Sequence, residues 1–349
     1  MTGVDLANGL DPDKDDVRAA AAAVPFWSEN FLFAMYDAGH DVGLWLHLGT
    51  IPNRWHLWED RVLVTLPGNG GVLTSRSYRR TPPEERPGGA NLLFTRVEPF
   101  RRWRVTAETL ATRTSYDEMS SGLVHDGHKD HVSLDLDVTC RTPVWDMHAM
   151  IRKGNGRGSM QSQSWASEHY EQLYTVTGRV TLPTGDIAFD GTGWRDHSRG
   201  PRGGETGAPW GGHVIMGAYF PDSDRGVGLC RYFHPDGGVT LEGAYVTEAG
   251  VMHAAEALEA PRIDVLRKDG ELLRFGLRRS DDVEVWLDAR TTTSLFTMLQ
   301  RSVHYFGIDP AGSLGSVYVL NFATLDWDGE HGSLYVERSA APGVSVAQL

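Results

Sequence analysis

Residues 131–139 read His131-Val132-Ser133-Leu134-Asp135-Leu136-Asp137-Val138-Thr139. In an extended chain Val132, Leu134, Leu136 and Val138 share one face, and Ser133, Asp135, Asp137 and Thr139 share the other. That two-residue period marks a half-buried strand. The rhythm continues on both sides. Residues 103–109 alternate in the same way, and apolar runs bounded by Gly, Pro, Asn and Asp mark 42–48, 61–66, 72–78 and 91–97 as strands, with a charged Pro/Gly loop over 81–90. Downstream, 171–182, 187–194, 213–220, 227–233, 239–246, 263–267, 272–278 and 283–290 repeat the pattern, and 317–327 and 332–338 read as closing strands. No long amphipathic helical pattern interrupts them.

Composition agrees with an all-β chain. Among 349 residues there are 40 Gly, 17 Pro, 11 Trp, 11 Tyr and 12 Phe, which favours turns and pleated surfaces. The balance of 46 acidic against 33 basic side chains, a formal charge of -13, argues against nucleic acid as a partner. No apolar run reaches the roughly 18 residues of a transmembrane helix, and the N-terminus lacks a secretory apolar core, so the expected location is cytoplasmic. Cys140 and Cys230 lie far apart, which excludes a disulfide scaffold and thiol redox chemistry.

About sixteen to twenty short antiparallel strands must deal with their edges, and closure does so. The expected architecture is two lipocalin-like (calycin-type) antiparallel barrels or curved sheets in tandem. Residues 1–24 form a peripheral leader or short helix, 25–160 an N-terminal and 161–349 a C-terminal lipocalin-like domain. The Gly/Ser/Gln tract at 153–164 sets the boundary. The similar lengths of the halves are consistent with a divergent duplication. Each eight-stranded barrel has room for about one small ligand.

Chemistry concentrates at Gly191-Thr192-Gly193-Trp194-Arg195-Asp196-His197-Ser198-Arg199-Gly200-Pro201-Arg202, preceded by Trp165, Glu168, Tyr170, Glu171 and Gln172. Asp196 and His197 suit proton transfer at a strand end, with Glu168 and Tyr170 orienting them. Alternatively Asp196, desolvated among tryptophans, stays protonated and serves as an acid. A third reading is a polar network in which Arg195, Arg199 or Arg202 pairs with Glu168 or Glu171. Trp165, Tyr170, Trp194, Arg195 and Trp210 are candidate substrate-binding residues, with Trp45, His47 and Trp58 as a second tier that equally suits barrel filling. His125, His128 and His131 have metal-like spacing, but a strand would throw successive histidines to opposite faces, so no metal is expected. The tract at 154–159 lacks the Lys-Ser/Thr of a phosphate loop, and no Gly-x-Ser-x-Gly elbow is present.

The run from Trp165 to Gln172, Gly178, and Gly193-Trp194-Arg195-Asp196-His197-Ser198-x-Gly200-Pro201-Arg202 resembles the signature of the tandem lipocalin-like superfamily of carotenoid 1,2-hydratase (hydroxyneurosporene synthase) and kievitone hydratase. The entry segment Trp27-Ser28-Glu29-Asn30-Phe31 with Phe33, Asp37 and Gly43 is similar to an uncharacterised bacterial branch. Arg199 departs from that branch, which often has Trp after the Ser. The resemblance implies a cofactor-independent hydratase or cyclase/isomerase acting on a terpenoid, steroid-like or polyphenolic compound. A non-catalytic carrier of a hydrophobic ligand is the alternative. Either way the expected partner is a hydrophobic small molecule, with a homodimer left open.

Overall fold

The computed structural model describes residues 4–158, 166–202, 210–300, 303–309, 311, 314–341 and 347–348. The chain runs through β1 (Trp27–Asp37), β2 (Val42–Ile51), β3 (Arg54–Thr65), β4 (Val72–Arg80), β5 (Leu92–Glu98), β6 (Arg102–Thr114) and β7 (Lys129–Cys140). Two short strands follow, β8 (Trp145–Asp146) and β9 (Gly156–Gly158), and then the long hairpin β10 (Glu168–Leu182) and β11 (Gly185–Pro201). In space the order is β11-β1-β2-β3-β4-β6-β7-β10, and β10 pairs back onto β11, so an antiparallel 8-strand barrel closes.

The remaining strands are β12 (Gly212–Phe220), β13 (Arg225–Phe233), β14 (Val239–Glu248), β15 (Val251–Glu259), β16 (Val265–Leu266), β17 (Leu272–Arg279), β18 (Glu284–Gln300), β19 (Val303–Phe306), β20 (Ser316–Trp327), β21 (Glu330–Ala340) and β22 (Ala347–Gln348), which pairs with β16. Their order β13-β12-β21-β20-β18-β17-β15-β14 is likewise closed, by β13 on β14. The expected pair of lipocalin-like barrels is therefore the fold, and closure removes the long free edges.

Two details differ from the reading of the sequence. Composition puts the boundary near residue 160, yet β10 and β11 are the strands that complete the first barrel, and the second begins at β12. Half of the Gly/Ser/Gln tract, 159–164, lies outside the described residues, but β9, within its first half, already pairs with β14 of the second barrel. The leader is not peripheral either: a short 3-10 turn, Pro12–Asp15, carries Asp15 into the first barrel, where it is 1% exposed.

The barrels repeat one pattern strand for strand. In the first hairpin the Tyr36 hydroxyl donates to Asp41 at 2.7 Å, and in the corresponding hairpin Tyr219 donates to Asp224 at 2.8 Å. Both aspartates hold a left-handed backbone, φ 54° and 52°. Among the described residues three large apolar clusters result, one inside each barrel and one between them, beside a small one of Phe100, Val144 and Tyr170. The third joins the outer faces of β1, β2, β10 and β11 to those of β12, β13, β20 and β21, and it too is two-fold. Gly43 of β2 faces the Phe322 ring of β20, while Gly226 of β13 faces Leu173 of β10. An added Cβ at Gly43 would lie 2.2 Å from Phe322 Cδ2. We expect Gly43→Ala to cost about 1–3 kcal/mol through overpacking, read from urea unfolding. Gly122→Ala, with extended backbone and no neighbour, is the control.

Candidate active site between the barrels

Successive residues of β11 point to opposite sides of the barrel wall. Register places Arg199 beside Glu168, His197 beside Tyr170 and Arg195 beside Gln172, all turned inward, whereas Asp196 lies beside Glu171 and turns outward toward the second barrel. Asp196 and His197 are therefore not a proton-transfer pair. Glu168 and Tyr170, expected to orient both, share only the side of His197.

Inside the first barrel, His197 Nε2 lies 2.7 Å from Glu29 Oε1, and its ring stacks on Phe31 at 3.8 Å. Arg199 donates to Glu29 at 2.7 Å and to Glu168 at 3.0 Å. Glu168 also accepts from Lys14 at 3.1 Å and from the Tyr170 hydroxyl at 2.9 Å. Arg195 pairs with Asp15 at 2.8 Å, donates to Gln172 and lies over the Trp103 ring. Burial, reinforced by Arg199, holds the His197 imidazole well below its usual range, so the ring is neutral. Burial pushes the Glu168 carboxyl up, but Arg199, Tyr170 and Lys14 outweigh it and hold it down. These partners make a buried polar plug at the barrel mouth, the network reading of the motif. Trp58 packs in the same interior and is core.

The outward face is different. Asp196 is half-buried, and among the described residues its carboxyl has no hydrogen-bond or ion-pair partner. Desolvation pushes it up to about 7, helped by Glu171 and Glu337 and opposed by His169 and Arg202. Aromatic rings stand beside it. Trp194, two residues earlier on the same face, donates to Glu171 at 3.0 Å and stacks on Tyr335 of β21 at 5.5 Å. Trp45 of β2 donates to the Tyr335 hydroxyl at 2.9 Å and stacks on His47. Trp210 stacks on His213 and packs near Tyr318. Among the candidates, Trp45, His47, Trp194 and Trp210 thus lie with Asp196 between the barrels, and Trp165 lies outside the described residues. A separate groove of about 750 Å³ opens at the hairpin end of the same interface, lined by Tyr36, Tyr219 and Thr192, and does not include Asp196.

A family model described as a domain of unknown function, DUF7064, matches residues 12–298, from the leader to the end of β18. The chain belongs to that family. No curated protein matches this DUF7064 chain. It is similar in structure to an AttH candidate from Nitrosomonas europaea, with TM-score 0.54 and 14% identity over 93% of this chain and 98% of the other. It is also similar to CghA with Sch210972, with TM-score 0.50 and 11% identity over 97% and 98%. Kievitone hydratase from Nectria haematococca matches at TM-score 0.49 and 10% identity, over 90% and 88%. At such identities the likeness is one of fold.

In this DUF7064 chain the second barrel contributes groups that motif reading did not single out: His213, Tyr232, Tyr318, Tyr335 and Glu337. The histidine run stays at the surface of the first barrel, where His131 pairs with Glu108 and His128 with Asp130. No helix among the described residues is long and apolar enough to cross a membrane.

Proposed function

We propose that the protein is an acid–base enzyme of the hydratase or cyclase type acting on an apolar alkene, with Asp196 as general acid. One observation carries this reading: a carboxyl with no hydrogen-bond or ion-pair partner among the described residues, on the inter-barrel face beside the rings of Trp194, Trp45 and Tyr335. Its likeness to the hydratase superfamily in the 191–202 motif supports it. In the chemical step the Asp196 O–H bond breaks as a C–H bond forms at one alkene carbon, leaving a carbocation and a carboxylate. The faces of Trp45, Trp194 and Tyr335 suit a cation held away from bulk water. Capture by water, or by a second double bond, completes the reaction. Proton and water addition change no net oxidation level, so this chemistry calls for no redox cofactor. Tyr232 and Tyr318 stay phenolic, since burial holds both hydroxyls well above their usual range.

The test combines turnover with a direct view of the acid. Wild type and Asp196→Asn are incubated with geraniol, and products are analysed by mass spectrometry for added water or for an isomer of unchanged mass. In parallel, infrared difference spectra from pH 5 to 9 should show a protonated carboxyl band that disappears near pH 7 in wild type and is missing from the variant. A protein that binds geraniol without converting it would be a carrier, and the enzymatic reading would fall. An Asp196 already ionised at pH 5 would remove the proposed acid.

A further inference from the structure

The two-fold pattern assigns a partner to Asp196. β11 and β21 are the last strands of their barrels, and they occupy equivalent places. Trp194, Asp196 and Ser198 on β11 correspond to Tyr335, Glu337 and Ser339 on β21. The register supports the match: Thr192 lies opposite Tyr36, Asp196 opposite Leu32 and Ser198 opposite Asn30, while Ser333 lies opposite Tyr219, Glu337 opposite Ile215 and Ser339 opposite His213. The Trp194–Tyr335 stack brings these two strands together across the interface, and Glu337 is near enough for its charge to help push the Asp196 carboxyl up.

The copies differ in what stands behind each carboxyl. Asp196 has Asn30 as its neighbour opposite Ser198, and the two do not bond. Glu337 has His213 there. His213 Nε2 lies 2.9 Å from Glu337 Oε1, and His213 Nδ1 lies 2.5 Å from Ser339 Oγ. The His213 backbone N–H donates to the same Ser339 oxygen at 3.0 Å, and the Tyr335 hydroxyl donates to Glu337 Oε2 at 2.9 Å. With the Ser339 hydroxyl donating to Nδ1, Nε2–H donates to Glu337, and every atom in the chain has one role. Both Glu337 oxygens then act as acceptors. The rings of Trp210, Tyr232 and Tyr318 pack around His213 and hold this line in place.

We infer that Glu337, backed by His213 and Ser339, is the catalytic base opposite Asp196, and that the site carries out hydration with an acid on one barrel and a base on the other. This inference rests on the role proposed for Asp196. In the step it adds, a water O–H bond breaks toward Glu337 while the C–O bond forms at the carbocation. Substrate and water become one alcohol, Asp196 has lost a proton and Glu337 has gained one. Return of that proton to Asp196 resets the site, and in the reverse direction the same pair eliminates water. The groups facing Asp196 are Glu171 and His169 from β10, Arg202 at the end of β11, and Glu337 from β21.

The experiment uses the full-length chain, geraniol as the probe and buffered deuterium oxide. Wild type should form the hydrated product and also return geraniol labelled with deuterium at the alkene. Glu337→Gln should lower hydration by about 10²–10³-fold while deuterium exchange into recovered geraniol persists, because cation formation needs only Asp196. Asp196→Asn should lose both. Equal loss of exchange and hydration in Glu337→Gln, with infrared showing Asp196 still protonated at pH 6, overturns the base. Retention of full hydration does the same. If wild type leaves geraniol unchanged, the proposed function fails on this probe, and the pairing is decided without turnover. Neutralising Glu337 should move the Asp196 midpoint to lower pH, with Glu337→Asp restoring it, and an unmoved midpoint overturns the pairing.

Discussion

Asp196→Asn is expected to lower turnover by about 10²–10⁴-fold, the share a positioned general acid typically supplies, while leaving a chain more stable than wild type at alkaline pH. Folding raises this carboxyl from roughly 3.9, its ordinary value, to about 7. The native state therefore binds the proton more tightly than the unfolded chain. That contribution is complete below about pH 4 and is lost as pH rises through about 7. By pH 8 the buried charge costs on the order of 4 kcal/mol. Asparagine removes it at little change in shape. Melting temperatures at pH 4, 6 and 8 should be nearly equal at the acid end and diverge in favour of the variant at pH 8. A variant that melts earlier at every pH, with no rate defect beyond its unfolded fraction, would assign Asp196 to structure.

Arg195→Met is expected to do the opposite: to destabilise by about 3–5 kcal/mol and leave the rate per folded molecule unchanged. Arg195 is 2% exposed, and its partner Asp15 is 1% exposed. Removing one member of a buried pair strands the other charge, which costs far more than removing both. Arg195→Met combined with Asp15→Leu should recover most of the loss. Urea midpoints for the two singles and the double decide the matter, and a single-variant loss below about 1 kcal/mol would mean that Asp15 finds other partners. His197→Ala belongs with this group, because its ring stacks on Phe31 inside the barrel and never reaches the inter-barrel space. Neighbours on one strand should thus sort cleanly, Arg195 and His197 into stability and Asp196 into rate.

The strands were legible because sheets half-exposed to water impose alternation, as 131–139 show, and because Gly, Pro and Asn punctuate the turns. The place where one barrel gives way to the next was not. Composition marks a Gly/Ser/Gln tract, whereas closure requires the count of strands to be complete, and β10 and β11 supply the last two. The motif at 191–202 stood out by its density of ionisable groups. Asp196 and His197 are adjacent in sequence, but on a strand the two-residue period sends them to opposite faces. Glu337, His213 and Tyr335 lie far along the chain and bear no local signature. Their signal was the spacing Tyr335-x-Glu337-x-Ser339 echoing Trp194-x-Asp196-x-Ser198, which gains meaning only once both are seen as the closing strands of equivalent barrels.

That correspondence has a consequence for how such a protein can diversify. Were a single barrel to assemble with an identical copy, the two carboxyls would be one residue seen twice across a true dyad, and any substitution would strike both sides together. Joining both copies in one polypeptide separates their fates. An aspartate beside asparagine and a glutamate beside histidine occupy matching positions here, and each is free to change without its counterpart. A lineage of such chains can therefore exchange the neighbour behind one carboxyl for another ligand shape while the opposite wall stays as it was.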